Sequence, residues 1–161
     1  MTANLREARH LVLRFFGHYR ARPLGPDEQR YVHDHLSARC AELFWKQSVP
    51  DQRHAVIVAR RVEAAFPGDR EVIEAALLHD IGKWRPNPGA VARSIATILD
   101  LLHLPMTKRM SAYRDHGPRG AADLEQARCG DLAVEFARLH PAPPPEGFDA
   151  HRWDALMAAD G

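Results

Sequence analysis

The sequence predicts an all-α fold, a compact multi-helix bundle, and three observations carry that expectation. Apolar residues recur at helical spacing along most of the chain. No segment alternates convincingly as a strand would, and Pro or Gly punctuates the periodic stretches. A length of 161 residues suits one domain that buries a core without disulfide staples. The formal net charge of +1, from 22 basic and 21 acidic residues, gives no reason to expect nucleic acid or an anionic membrane as an obligatory partner.

The elements follow in order. Leu5, Ala8, Leu11, Val12, Phe15 and Phe16 form the stripe of a first helix, which ends at Pro23-Leu24-Gly25-Pro26. This run is too short, and with Arg14, His18 and Arg20 too charged, for a signal peptide or membrane span, so a cytoplasmic chain is expected. Pro26 opens the second helix, with Asp27 and Glu28 placed where the helix dipole favours acids. That helix is expected to carry Tyr31, Leu36, Leu43, Phe44 and Trp45 before Pro50 interrupts it. Asp51 starts a third helix through His54, Val58, Val62 and Phe66, closed by Pro67-Gly68.

A fourth helix is expected over about residues 69–81, with Val72, Ile73, Ala76, Leu77 and Leu78 facing the core and Gly82 ending it. Residues 84–89 read as a loop, 91–104 as a fifth helix, and 117–129 and 131–140 as two more. A proline-rich loop over 141–147 leads to a last helix with Trp153, Leu156, Met157 and Asp160. The expected total is roughly eight helices joined by short loops. Residues 1–50 read as a helical N-terminal extension, packed on the core by default or offering a homodimer contact, and residues 51–161 as the domain that carries chemistry. Cys40 and Cys129 lack CxxC spacing and read as two small, partly buried thiols in a reducing compartment.

The chemistry centres on His79-Asp80, inside Ala76-Leu77-Leu78-His79-Asp80-Ile81-Gly82-Lys83. A neutral ring nitrogen beside a hard anionic oxygen suits iron, manganese, nickel or zinc. Burying the carboxylate without a cation or a hydrogen-bonding partner is expensive. Lys83 sets a cation next to the pair. Further candidate ligands lie near helix faces or ends: His54, His116, His140 and Asp160. Together these are four imidazoles and two carboxylates in five separated segments, a set that facing helices of a bundle can bring together.

The order His54, His79-Asp80, Asp160, with the pair inside Leu-Leu-His-Asp-Ile-Gly-Lys, resembles the HD-domain superfamily of metal-dependent phosphohydrolases. The resemblance covers residues 51–161, and His116-Gly117 with Arg138-Leu139-His140 resembles the branch that binds two metals. It implies that His54, His79, Asp80 and Asp160 hold one ion. It further implies that His116 and His140 help to hold a second, with Asp80 bridging. Six donors suit two ions better than one that keeps an open position. Such a pair binds a phosphoryl group, activates a water and stabilises the charge of in-line displacement. Iron or manganese is favoured, with nickel, zinc or magnesium left open. The implied reaction is hydrolysis of a phosphoester or phosphoanhydride in a small, nucleotide-like substrate, as in the HD proteins that cleave dinucleoside polyphosphates. Asp80 and Lys83 are the candidate catalytic residues. Lys83, Arg53 and Arg119, with Arg85 as a weaker candidate, are the expected phosphate contacts. A di-iron oxygenase and a non-catalytic metal-stabilised scaffold or sensor are the alternatives that the ligand types leave open.

The remaining candidates read as ordinary. His10, His18, His33, His35, His103 and His151 are expected on the surface or in packing, with His33-Asp34-His35 as a solvated helix face. Trp45, Trp84 and Trp153 are expected to anchor core or loop, Trp84 being the one able to line a pocket. Asp160 is the penultimate residue, so the last ligand is expected on a helix end open to fraying.

Overall fold

The computed structural model describes residues 22–84 and 116–161, and of His116 only the backbone. The helices expected over 5–16 and 91–104, the 85–89 part of the expected loop, Arg85 and the histidines at 10, 18 and 103 lie outside the described residues. Within them the fold is all-α, without a strand. Seven helices are described: α1 (Pro26–His35), α2 (Ala38–Phe44), α3 (Val49–Ala65), α4 (Arg70–Leu78), α5 (His116–Ala127), α6 (Asp131–Leu139) and α7 (Ala150–Asp160). A 3₁₀ turn, Ile81–Trp84, follows α4.

Local chemistry explains most boundaries. Pro26 stands at the start of α1, and Glu28 reaches back to the Gly25 N–H at 2.8 Å. The helix expected to run from Pro26 to Trp45 is broken. Leu36 is extended, and the Ser37 hydroxyl accepts from the Cys40 N–H at 3.3 Å, capping a new helix. The third helix starts two residues earlier than expected, at Val49 after Ser48, because Pro50 is tolerated in a first turn. Asp69 caps α4 by accepting from Val72 N–H at 3.3 Å.

α4 is the centre of the molecule. It packs against α3, α6 and α7, with α1 and α2 also in contact. Val72, Ile73 and Ala75 to Leu78 are all buried on it, so its near-continuous apolar run matches a helix covered on several sides. Residues before Val49 share this core through Leu24, Tyr31, Val32, Leu36, Cys40, Ala41, Leu43 and Phe44. Trp153 of α7 is fully buried, with its indole N–H donating to the Ala142 carbonyl at 3.0 Å. No helix among the described residues is long and apolar enough to cross a membrane.

One expectation is overturned. Cys40 and Cys129 are joined in a disulfide, with Cα atoms 5.9 Å apart across 89 residues of sequence. The fold sets α2 against α5 and so brings the end of α5 to Cys40. Spacing along the chain carries no trace of that proximity.

Candidate metal centre

The end of α4 delivers His79 and Asp80 into the interior, 1% and 4% exposed. His79 caps the helix, and its Nδ1–H donates to the Ala76 carbonyl at 2.8 Å. That bond competes for the carbonyl that a longer helix would give to the Asp80 N–H. The helix therefore ends at Leu78 and not near residue 81, and the 3₁₀ turn takes over. A carbonyl can only accept, so Nδ1 carries the proton and the lone pair of neutral His79 lies on Nε2. This Nε2 faces Asp80 Oδ2 at 3.4 Å and Asp160 Oδ1 at 3.3 Å. Both distances are long for a hydrogen bond, and a lone pair opposite two carboxylate oxygens is repulsive unless a cation or proton lies between them.

Three other elements complete the cluster. His54 on α3 brings its Nε2 to 2.8 Å from Asp160 Oδ1 at the end of α7. His140, just after α6, repeats the logic of His79: its Nδ1–H donates to the Phe136 carbonyl at 2.9 Å. Nε2 is thereby turned toward Asp80 Oδ1, 3.8 Å away. Phe136, fully buried, stacks on the His140 ring at 5.2 Å between centroids. Such backbone bonds set the tautomer and ring orientation of metal-binding histidines. The helix end bearing Asp160 is not left to fray, since Arg61 donates to the Ala159 carbonyl at 2.8 Å.

The donors fit a divalent ion. Two ligands about 2.0–2.2 Å from a metal at ordinary coordination angles lie roughly 2.8–3.6 Å apart. The contacts at 2.8, 3.3 and 3.4 Å fall in that range. Among the described residues, one donor atom each from His54, His79 and Asp80 lie within 4.8 Å of one another.

The other expected site residues fall unevenly. Lys83, on the 3₁₀ turn, pairs through Nζ with Asp80 Oδ2 and keeps 16% of its side chain exposed. Arg53, next to His54, is engaged by Glu28 at 3.1 and 3.2 Å. Arg119 is exposed on α5. The His116 side chain lies outside the described residues, but its helix is placed. A Cβ on Gly117 would lie 2.9 Å from the carbonyls of Ala137 and Arg138, so α5 starts against the last turn of α6, next to His140. Trp84 donates its indole N–H to Asp123 at 3.2 Å, with Lys46 5.1 Å above its ring. His33 and Asp34 are exposed, as a solvated face requires, but His35 is half-buried, with its Nδ1–H donating to the Tyr31 carbonyl at 2.8 Å.

Sequence reading missed the carbonyls of Ala76 and Phe136 and the stacking of Phe136. The signal was present, three residues before His79 and four before His140. It also missed the work of Gly120, where a Cβ would meet the Gly82 backbone N at 2.8 Å and Ile81 Cγ2 at 3.0 Å. Gly120→Ala is expected to push α5 off the turn bearing Lys83. The expected cost is about 1–3 kcal/mol, an overpacking penalty read by thermal or urea unfolding. An unchanged unfolding midpoint would contradict this packing.

The electrostatics give a pH prediction for protein stripped by a chelator. Burial lowers His79, but the Asp80 and Asp160 carboxylates outweigh it and push the ring up to about 10. Burial raises Asp160, yet the hydrogen bond from His54 and the charge of a protonated His79 ring facing it prevail and hold it well below the usual carboxylate range. Burial lowers His140 despite Asp80. An unfolded histidine titrates near 6.5, so the His79 contribution is whole below about 6.5 and is lost as pH rises toward about 10. The contributions of His140 and Asp160 run the other way and are lost as pH falls below about 6.5 and 3.8 respectively. Melting temperatures of the chelated protein should fall steadily from neutrality to about pH 10. A flat alkaline profile would mean that His79 is not protonated between these carboxylates.

No family model matches the chain, and no curated protein or solved structure matches it.

Proposed function

We propose that this chain is a metal-dependent phosphohydrolase of the HD type, which hydrolyses a phosphoester or phosphoanhydride bond in a small, nucleotide-like substrate. One observation carries the reading. A fully buried histidine, with its tautomer set by the Ala76 carbonyl, aims its free ring nitrogen at two carboxylates, and two more histidines border the same carboxylates. An iron, manganese or related divalent ion would be held by His54, His79, Asp80 and Asp160, and a second by Asp80 with His140 and His116. Bound metal supplies an activated water and neutralises charge on the phosphoryl group.

The chain's own residues do the rest. Burial keeps His140 neutral near pH 7 and able to ligate. Lys83 holds Asp80 through its ammonium and, being partly exposed, exchanges to a substrate phosphate oxygen as a point charge. Arg53 reaches a substrate only by leaving Glu28, which makes it a lesser contact. The partner is a small phosphorylated molecule, and the compartment proposed is the cytoplasm, where the Cys40–Cys129 bond is exposed to reduction.

The test is anaerobic reconstitution followed by a panel of phosphorylated substrates. Phosphate release without oxygen uptake supports the hydrolase. Obligatory oxygen consumption would assign the site to a di-iron oxygenase, and metal binding without any turnover would leave a scaffold. Elemental analysis should find two ions per chain, falling to one in His116→Ala or His140→Ala. A single ion in the unaltered protein removes the dinuclear part.

A further inference from the structure

A second group of ligand-type side chains lies away from the histidines. Cys40 on α2, Glu74 on α4 and Cys129 in the turn between α5 and α6 place their sulfur and carboxylate atoms within 4.8 Å of one another. Cys40 is fully buried, Cys129 nearly so, and Glu74 half-buried. Three separate elements converge here, as they do at a built site.

The position of Glu74 is not explained by the disulfide. A disulfide sulfur offers a carboxylate neither a proton nor a positive charge. The hydrogen bond Glu74 receives is a long one, from the Gly130 N–H at 3.3 Å. Gly130 also makes the room, since a Cβ there would lie 2.8 Å from Glu74 Oε2. Burial raises the Glu74 carboxyl, so its negative charge is held inward at a cost. Two thiolates and a carboxylate would give that charge a use: they are three donors of a tetrahedral zinc site, with a fourth position open to water.

We propose that, once reduced, the chain holds a second metal site in which Cys40, Cys129 and Glu74 bind a thiophilic divalent cation such as zinc, and that the disulfide is the metal-excluding state of this site. The chemistry balances. Two equivalents of a small thiol deliver two electrons and two protons to the sulfur–sulfur bond, leaving two protein thiols and the reductant as its own disulfide. Zinc then displaces both thiol protons to solvent. The sulfurs must part to about 3.8 Å, the spacing of two ligands 2.3 Å from a tetrahedral ion, which side-chain rotation provides. This inference is independent of the hydrolase reading, because it uses none of the histidines.

Cobalt titration of the full chain, anaerobic and fully reduced, tests it. Thiolate ligation to cobalt gives a near-ultraviolet charge-transfer band that histidine and carboxylate ligation cannot produce. The band should appear in reduced protein and be absent from oxidised protein and from Cys40→Ser. Elemental analysis should find an additional zinc ion per chain after reduction. Glu74→Gln should weaken the charge-transfer site about tenfold or more. If Cys40→Ser fails to fold, alkylation of the reduced unaltered chain serves instead, and zinc should slow modification of Cys129. Equal metal content in both redox states, absence of the band on reduction, or alkylation indifferent to zinc would overturn the site. An affinity unmoved by Glu74→Gln would remove Glu74 from it.

Discussion

Asp80→Asn is expected to abolish tight metal binding and, with it, phosphohydrolase activity, while the chain stays folded. The amide has the shape of the carboxylate but not its charge, and Asp80 is only 4% exposed. Its two oxygens face different partners: Oδ2 lies 3.4 Å from His79 Nε2 and pairs with Lys83, and Oδ1 lies 3.8 Å from His140 Nε2. The substitution thus strikes both halves of the proposed centre at once. Loss of an outer-sphere partner commonly costs about 10–100-fold in metal affinity, so a ligand serving two ions should cost more than about 100-fold. Calorimetric titration with manganese, alongside elemental analysis, reads the effect. Lys83→Met is the companion: metal content should persist, and the loss should appear in KM for the phosphorylated substrate. Wild-type metal content in Asp80→Asn would exclude Asp80 as a ligand.

Reduction of the Cys40–Cys129 bond is expected to produce the largest change in stability. The bond spans 89 residues, and closing a loop of that size restricts the unfolded chain by about 4–5 kcal/mol. For a protein of this length that corresponds to a fall in melting temperature of about 10–15 °C. The loss should be greatest where the bond acts, between α2 and the α5–α6 turn. Melting curves with and without a dithiol reductant, paired with thiol counting, read it directly. With the histidine centre already loaded with metal, zinc added to the reduced chain should recover part of the loss, and should recover less in Cys40→Ser. A reduced chain that melts with the oxidised one would mean that the bond is not formed in solution.

Helix identity was legible in the sequence where the signal is local. The apolar run of α4 and Pro26 at the head of α1 both act within one or two turns, and both helices begin where those residues point. The break at Ser37 was missed for an equally local reason. An apolar stripe continues across it and hides the one hydroxyl whose acceptance of the Cys40 N–H starts a new helix. The early end of α4 is not visible in its apolar run, because His79 is both a ligand type and a donor to its own helix. The candidate site was legible in kind, since His and Asp among apolar neighbours need an electrostatic reason to be buried.

The sequence by itself determined that the chain is helical, where most helices begin, and which side chains have the chemistry to hold a cation. Periodicity, capping and ligand type are properties of short stretches. Only the tertiary structure decided that Glu28 occupies Arg53 and that Cys40 bonds Cys129 with Glu74 beside them. Those outcomes depend on how helices pack, and packing is set by the whole core. A residue's partner there is chosen by distance in space, which spacing along the chain does not encode.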